Sequence, residues 1–299
     1  MSNWLAIKRE MQGSDGFVAW VRQQIIPSGE QLALEARRKV IDTRWDGVEP
    51  QKEAFRETTV DEFFCDLLDT EYEIYLQYEE KCIAEAIRLA LNNAQVLEKY
   101  PHTAQMLQMA LQMIENQTEE STQRLSELAS LLRPFYMLFE QSLSQGRCTR
   151  AGGSPQTHFE YLLRLLGYSG EFETQTVLNG KVDFLFPNRE AWKRDRQRCI
   201  IVSVKRSLRE RYKQVFEELG ITGGLSVYLL VTETLEEAKK DLAHSKIGKL
   251  KEQNIYLVVR DAVKQNLFPS ESRVFGFSDF LLKELPLRRQ IWKSLIEEH

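Results

Sequence analysis

Long apolar runs are missing from this 299-residue sequence, and none approaches the ~18 consecutive apolar residues that a membrane helix needs. The opening residues, MSNWLAIKREMQG, carry no basic flank followed by an apolar stretch, so no secretory signal is expected there. Cysteine is scarce. Cys65, Cys82, Cys148 and Cys199 form no CxxC pair and lie far apart, which argues against a structural zinc site and points to reduced thiols in the cytoplasm. Internal repeats and low-complexity segments are absent, which removes solenoid architectures from consideration. A general excess of basic charge is missing too. The formal net charge is -4, unlike that of a protein that coats nucleic acid indiscriminately.

The composition that remains is ordinary for a globular protein, 42% hydrophobic and 28% charged, but its charge is unevenly spread. Between Gln141 and Val215 stand 14 Lys or Arg against 7 Asp or Glu, so the rest of the chain is acidic. Such a segment can focus an anionic ligand onto one face, although a plain solvated surface has the same composition. Two textures divide the chain, with expected regions 1–140 and 141–299. From Asp61 to about Glu140, residues such as Ile83, Ile87, Ala90, Leu91, Met106, Met109 and Met113 recur at helical spacings. These methionines and the aromatic run Phe135 to Phe139 suit a core better than a cofactor site. The first sixty residues are less regular, with turns expected at Pro27-Ser28-Gly29 and Asp46-Gly47.

Beyond Gly146 the pattern becomes mixed. Ser154-Pro155 opens a helix that includes His158, Phe159, Leu162, Leu163 and Leu166 and ends at Gly167. Phe172 to Leu178 and Lys181 to Phe186, joined by Asn179-Gly180, read as a hairpin, because Asn-Gly supplies the positive φ angles of a tight turn. Cys199–Val204, Leu225–Val231 and Ile255–Val259 are short β-rich apolar runs that suit buried strands, and a helix is expected from Ser207 to Leu219 before Gly220. The expected fold class is α/β: a mixed central sheet flanked by helices, with a helical N-terminal region.

Asp183 falls on the second hairpin strand and Lys205 ends the next. Strands ~4.8 Å apart let such side chains converge. A carboxylate beside a lysine suits phosphodiester hydrolysis, since carboxylates hold hard Mg²⁺ while an ammonium stabilises developing negative charge. For an arbitrary Asp/Lys pair, a surface salt bridge is the commoner outcome.

The sequence Asp183 … Ser203-Val204-Lys205 resembles the PD…(D/E)xK nuclease motif, with Ser203 standing where its second acid would stand. It is similar to a branch of type II restriction endonucleases that recognise CCGG, CCNGG or CCWGG and supply the missing carboxylate from the following helix. The run from Ser203 to Val215 carries the closest likeness, and Arg150-Ala151-Gly152 ahead of a helix bearing Glu160 adds to it. The good match covers roughly Arg147 to Gly220. The resemblance implies a restriction-endonuclease-like fold and a homodimer, or a tetramer built from it, that cuts double-stranded DNA with Mg²⁺ at a CC/GG-containing palindrome. It implies catalytic and metal roles for Asp183, Glu160 and a helix glutamate, and a catalytic role for Lys205.

Helical geometry chooses between the two adjacent glutamates. With Leu208 at zero, Tyr212, Val215 and Leu219 fall within about 40°, Glu217 near 180° and Glu218 near -80°. Glu218 borders the buried stripe and is the expected metal carboxylate; Glu217 faces water. In Arg209-Glu210-Arg211, arginine can donate twice to guanine and glutamate can accept from cytosine. Taken alone the triplet is more often a solvated charge run, and it is the resemblance that assigns it to the GG/CC half-site. Gln145 matches a family glutamine that reaches central bases. His158 suits a packed or solvent-facing residue, and Trp45 a core residue or a platform for an extruded base. Other readings are a structure-directed repair or junction nuclease of the same superfamily, and a DNA-binding protein with a dead nuclease core.

Overall fold

The computed structural model describes residues 2–115, 121–150, 154–175, 183–207, 226–242, 247–248, 250, 252 and 254–297. The chain folds into two compact units, Met1–Leu32 with Tyr72–Arg150, and Ala33–Glu71 with Ala151–His299. No helix among the described residues is long and apolar enough to cross a membrane.

The helical part is more continuous than the sequence suggests. The helices are α1 (Ser2–Met11), α2 (Phe17–Ile25), α3 (Gly29–Arg44), α4 (Glu57–Asn92), α5 (Ala94–Lys99), α6 (Pro101–Glu115), α7 (Ser121–Arg150) and α8 (Ser154–Leu165). The first sixty residues, less regular in sequence, contain three helices, in keeping with the expected helical N-terminal region. The Pro27-Ser28-Gly29 turn is the start of α3: Gln31 N donates to Ser28 Oγ at 3.3 Å and Ser28 N donates back to Gln31 Oε1 at 3.0 Å. This reciprocal cap satisfies amides that a helix start leaves unpaired. The expected turn at Asp46-Gly47 is present, with φ of 49° and 76°. Pro101 opens α6, whose first amides are capped by Glu10, accepting from His102 N at 3.1 Å and Thr103 N at 2.8 Å. Pro134 lies inside α7. Along it Phe135, Leu138 and Phe139 are buried while Tyr136 and Met137 are exposed, the i, i+3, i+4 pattern of a one-sided helix.

The sheet unit has six strands in sequence order: β1 (Glu173–Thr174), β2 (Phe184–Phe186), β3 (Ile200–Lys205), β4 (Ser226–Val231), β5 (Ile255–Val259) and β6 (Val274–Gly276). The first three pair antiparallel and β3 to β6 pair parallel, so the expected mixed sheet is found. Its central strands are mostly apolar because both faces are covered, Ser203 and Lys205 of β3 being exceptions. Ile200, Val202 and Val204 point to one core with Phe159, Leu162 and Leu163 of α8 and Phe63, Phe64 and Leu67 of α4. Cys199 and Ile201 point to the other, with Leu185, Trp192, Leu229 and Leu257. Helix α8 ends at a left-handed Gly167, φ 82°, where Tyr168 N reaches back to Leu163 O at 3.0 Å. The hairpin's Asn179-Gly180 turn, and the expected helix beyond Ser207, lie outside the described residues.

Candidate active site

Strand pairing brings Asp183 and Lys205 together. In the β2–β3 register Phe184 stands opposite Val202, so one residue further back Asp183 stands opposite Ser203. Alternation then puts Ser203 and Lys205 on the same face of β3, with Ile201 below them. Asp183 immediately precedes β2, so it sits where the antiparallel ladder stops. Its carboxylate takes over as acceptor. Oδ2 receives Val204 N at 2.7 Å, Ser203 Oγ at 2.9 Å and Lys205 Nζ at 3.2 Å. Burying a carboxylate this deeply, at 8% exposure, is tolerable only with such partners. Oδ1 receives the carboxamide Nε2 of Gln156, from the first turn of α8.

The serine that departs from the nuclease motif therefore has a defined place. It adds no second carboxylate and instead donates to the first. Lys205 remains one-fifth exposed and is anchored to Asp183 by a charged pair.

Other expected site residues are distributed as follows. Glu160 lies on α8, one turn beyond Gln156, and pairs with Arg164 at 2.6 Å. Gln145 is exposed near the end of α7, in the helical unit. Glu218, Arg209, Glu210 and Arg211 lie outside the described residues. Among the described residues no group of three or more His, Cys, Asp or Glu side chains is placed to hold a metal. His158 is fully buried, its Nε2 facing Glu71 Oε2, which makes it a packed histidine. Trp45 packs on Phe55 and Phe63, with ring centroids 5.9 Å away in each case, as a core residue does. Burial pushes the Cys199 thiol up to about 12, with Asp195 adding to the shift, and it also pushes Cys65 up, so neither supplies a thiolate near neutrality.

Among the described residues, five basic side chains of the segment lie away from this site. Arg189, Lys193, Arg194, Arg196 and Arg198 are exposed on the connection between β2 and β3, at the end of β3 away from Lys205. The six residues of β3 set these ends about 17 Å apart.

Gln156 was not singled out from sequence, because a neutral glutamine in a polar first turn carries no pattern, and its contact spans 27 residues.

A mixed sheet with helices on both faces, carrying an Asp and a Lys where adjacent strands end, defines a restriction-endonuclease-like fold. The chain belongs to the EcoRII C-terminal family, whose model matches residues 111–281. The type II restriction enzyme SsoII of Shigella sonnei is 29% identical over 166 residues, 52% of this chain and 51% of that protein. The chain thus spans about half the length of the curated relative it matches. Among solved structures, metal-depleted Ecl18kI in complex with uncleaved, modified DNA aligns with a TM-score of 0.69 at 17% identity, covering 92% of this chain and 84% of that one. The PspGI–substrate DNA complex aligns with a TM-score of 0.53 at 16% identity, covering 92% and 96%. These likenesses concern the fold.

Proposed function

We propose that this protein is a Mg²⁺-dependent, sequence-specific endonuclease that cuts double-stranded DNA as a homodimer at a palindromic site containing CC/GG. The observation that carries the reading is the Asp183–Lys205 pair, 3.2 Å apart on paired strands of a chain from this family. The relative SsoII is a type II restriction enzyme and the solved neighbours are DNA complexes, which supports DNA as the substrate.

The donor chemistry suits a hard cation. Mg²⁺ is commonly held by one or two carboxylates, with waters and substrate phosphates completing its shell. Asp183 supplies one carboxylate, and Glu218 is proposed as the second, with Glu160 approaching from α8. When bound, the cation polarises the phosphate and lowers the pKa of an attacking water. The chain's own residues do the positioning. Ser203 and Val204 N fix the Asp183 carboxylate, and the Lys205 ammonium, anchored on one side, presents its remaining donors to the negative charge that develops on the phosphate oxygens. Arg209, Glu210 and Arg211 are proposed to read the half-site, Gln145 the central bases, and the helical region 1–140 to serve DNA contact and dimerisation.

Incubating plasmid DNA with and without Mg²⁺, then sequencing the ends, tests this. We expect discrete fragments only with Mg²⁺. Asp183→Asn and Lys205→Ala should each reduce cleavage by more than about 100-fold while thermal melting stays cooperative. Cleavage within about tenfold of wild type in either variant, only ~1.4 kcal/mol of barrier, places the chemistry elsewhere.

A further inference from the structure

The two oxygens of Asp183 are not equivalent. Oδ2 is enclosed by an amide, a hydroxyl and an ammonium, all turning positive hydrogens toward it. A cation approaching that oxygen would meet the Lys205 charge directly. Oδ1 is the oxygen left for a metal, and there the carboxamide of Gln156 donates. Its N–H dipole points its positive end at the position a cation would take.

We propose that Gln156 is a displaceable guard on Asp183, holding Oδ1 with its amide until a divalent cation takes that place. The inference rests on the reading of Asp183 as a metal ligand. Three donors on Oδ2 already set the plane of the carboxylate, so Gln156 is not needed to orient it. What the amide supplies is a partner for a charged oxygen that is nearly closed to solvent. A charge-assisted hydrogen bond of this kind is about twice as strong as a neutral one, so it competes measurably with the cation. Gln156 is only part-buried, which leaves its side chain room to withdraw along the surface of α8.

Calcium titration of the full chain, without DNA and followed by calorimetry, tests the guard, alongside thermal melting in EDTA. Gln156→Leu removes the donor and keeps the volume; Gln156→Met does the same with an unbranched chain should the leucine variant fold poorly. Both should melt lower than wild type in EDTA, because Oδ1 has lost its partner. Both should also bind Ca²⁺ about three- to tenfold more tightly, because the cation no longer displaces a hydrogen bond. A purely structural glutamine gives the lower melting temperature alone. Ca²⁺ affinity within twofold of wild type, or weaker, overturns the guard. Asp183→Asn separates this from the wider reading: it should abolish Ca²⁺ binding at the site. If Ca²⁺ binding is absent from the wild type or survives Asp183→Asn, the metal is not at Asp183, and both the site and the guard fall.

Discussion

A single side chain decides how the charge of this site is arranged. With Ser203 opposite Asp183, the strands hold one carboxylate and one ammonium, a locally neutral pair. A second acid at position 203 would place two carboxylates in a space closed to water, where like charges oppose each other's ionisation. A second acid on the following helix, as proposed for Glu218, would keep the ligand count for a metal and remove that conflict from the sheet. The proposal makes the helix glutamates unequal. Glu218→Gln should suppress Mg²⁺-dependent cutting by more than about 100-fold, whereas Glu217→Gln should stay within about threefold, as read by initial cleavage rates. Equal rates in the two variants would dismiss the helical-face argument. Asp183 and Lys205 were singled out by the resemblance around Ser203-Val204-Lys205, since an Asp/Lys pair alone suits a surface salt bridge; that the two side chains meet follows from the strand register. Gln156 was not singled out, since only the packing of α8 against the sheet brings it near.

Two groups of polar residues bind the elements of the sheet unit to one another. Arg260, just past β5, donates twice to Asp69 of α4 at 2.7 and 2.6 Å and once to Thr232 O at 3.0 Å. Beside it Asp61 accepts Asp261 N at 2.9 Å. Burial raises the Asp61 carboxyl to about 6, and the nearby Asp261 carboxylate adds to this, while the amide of Asp261, the Arg260 charge and the Cys65 thiol pull the other way. Because the folded pKa exceeds the unfolded one near 3.9, the native state binds this proton more tightly. Its stabilising effect is complete below about pH 4 and is lost as pH rises through 6. Asp61→Asn, neutral at every pH and able to keep the amide contact, should therefore raise the melting temperature at pH 8 and leave it nearly unchanged at pH 4.5. Equal shifts at both values would rule out the titration. The second group is His158 of α8 facing Glu71 of α4, both buried. His158→Leu or Glu71→Leu alone strands the other polar partner and should cost on the order of 3 kcal/mol, while the double substitution should cost clearly less than the sum. Additive losses in urea titrations would show that the two do not interact. At this scale the sequence was informative where elements are long or uniformly apolar: β3, β4 and β5 lie within a residue of their expected bounds. β6 has three residues, one of them glycine, and was invisible. Within the expected helical N-terminal region, α1 to α3 were not delimited one by one, because their buried faces rest on few residues, such as Leu32, Ala33, Ala36 and Val40 in α3, amid charged neighbours.

At the scale of the molecule, five basic side chains of the segment stand apart from the site: the exposed Arg189, Lys193, Arg194, Arg196 and Arg198 lie beyond the end of β3 away from Lys205. The proposed sequence readout rests on base contacts instead. Arg209→Ala, Glu210→Ala or Arg211→Ala should each weaken binding to the cognate duplex by ~1-3 kcal/mol more than to a scrambled one, at a fixed salt concentration. If Glu210→Ala instead tightens both duplexes by one common factor, glutamate 210 reads no base and merely repels phosphate. The pairing of Asp183 with Ser203 has a further consequence for anyone who rebuilds this scaffold. Since neighbouring side chains on a strand alternate between faces, sliding β2 along β3 by one position would turn the aspartate toward the opposite core. The exposed part of the segment joining the two strands can be lengthened, provided Phe184 still meets Val202 and Trp192 keeps its place in the core. The protein's tolerance to insertion is thus set by counting residues along two strands, and an insertion that respects that alignment should leave Asp183 beside Lys205.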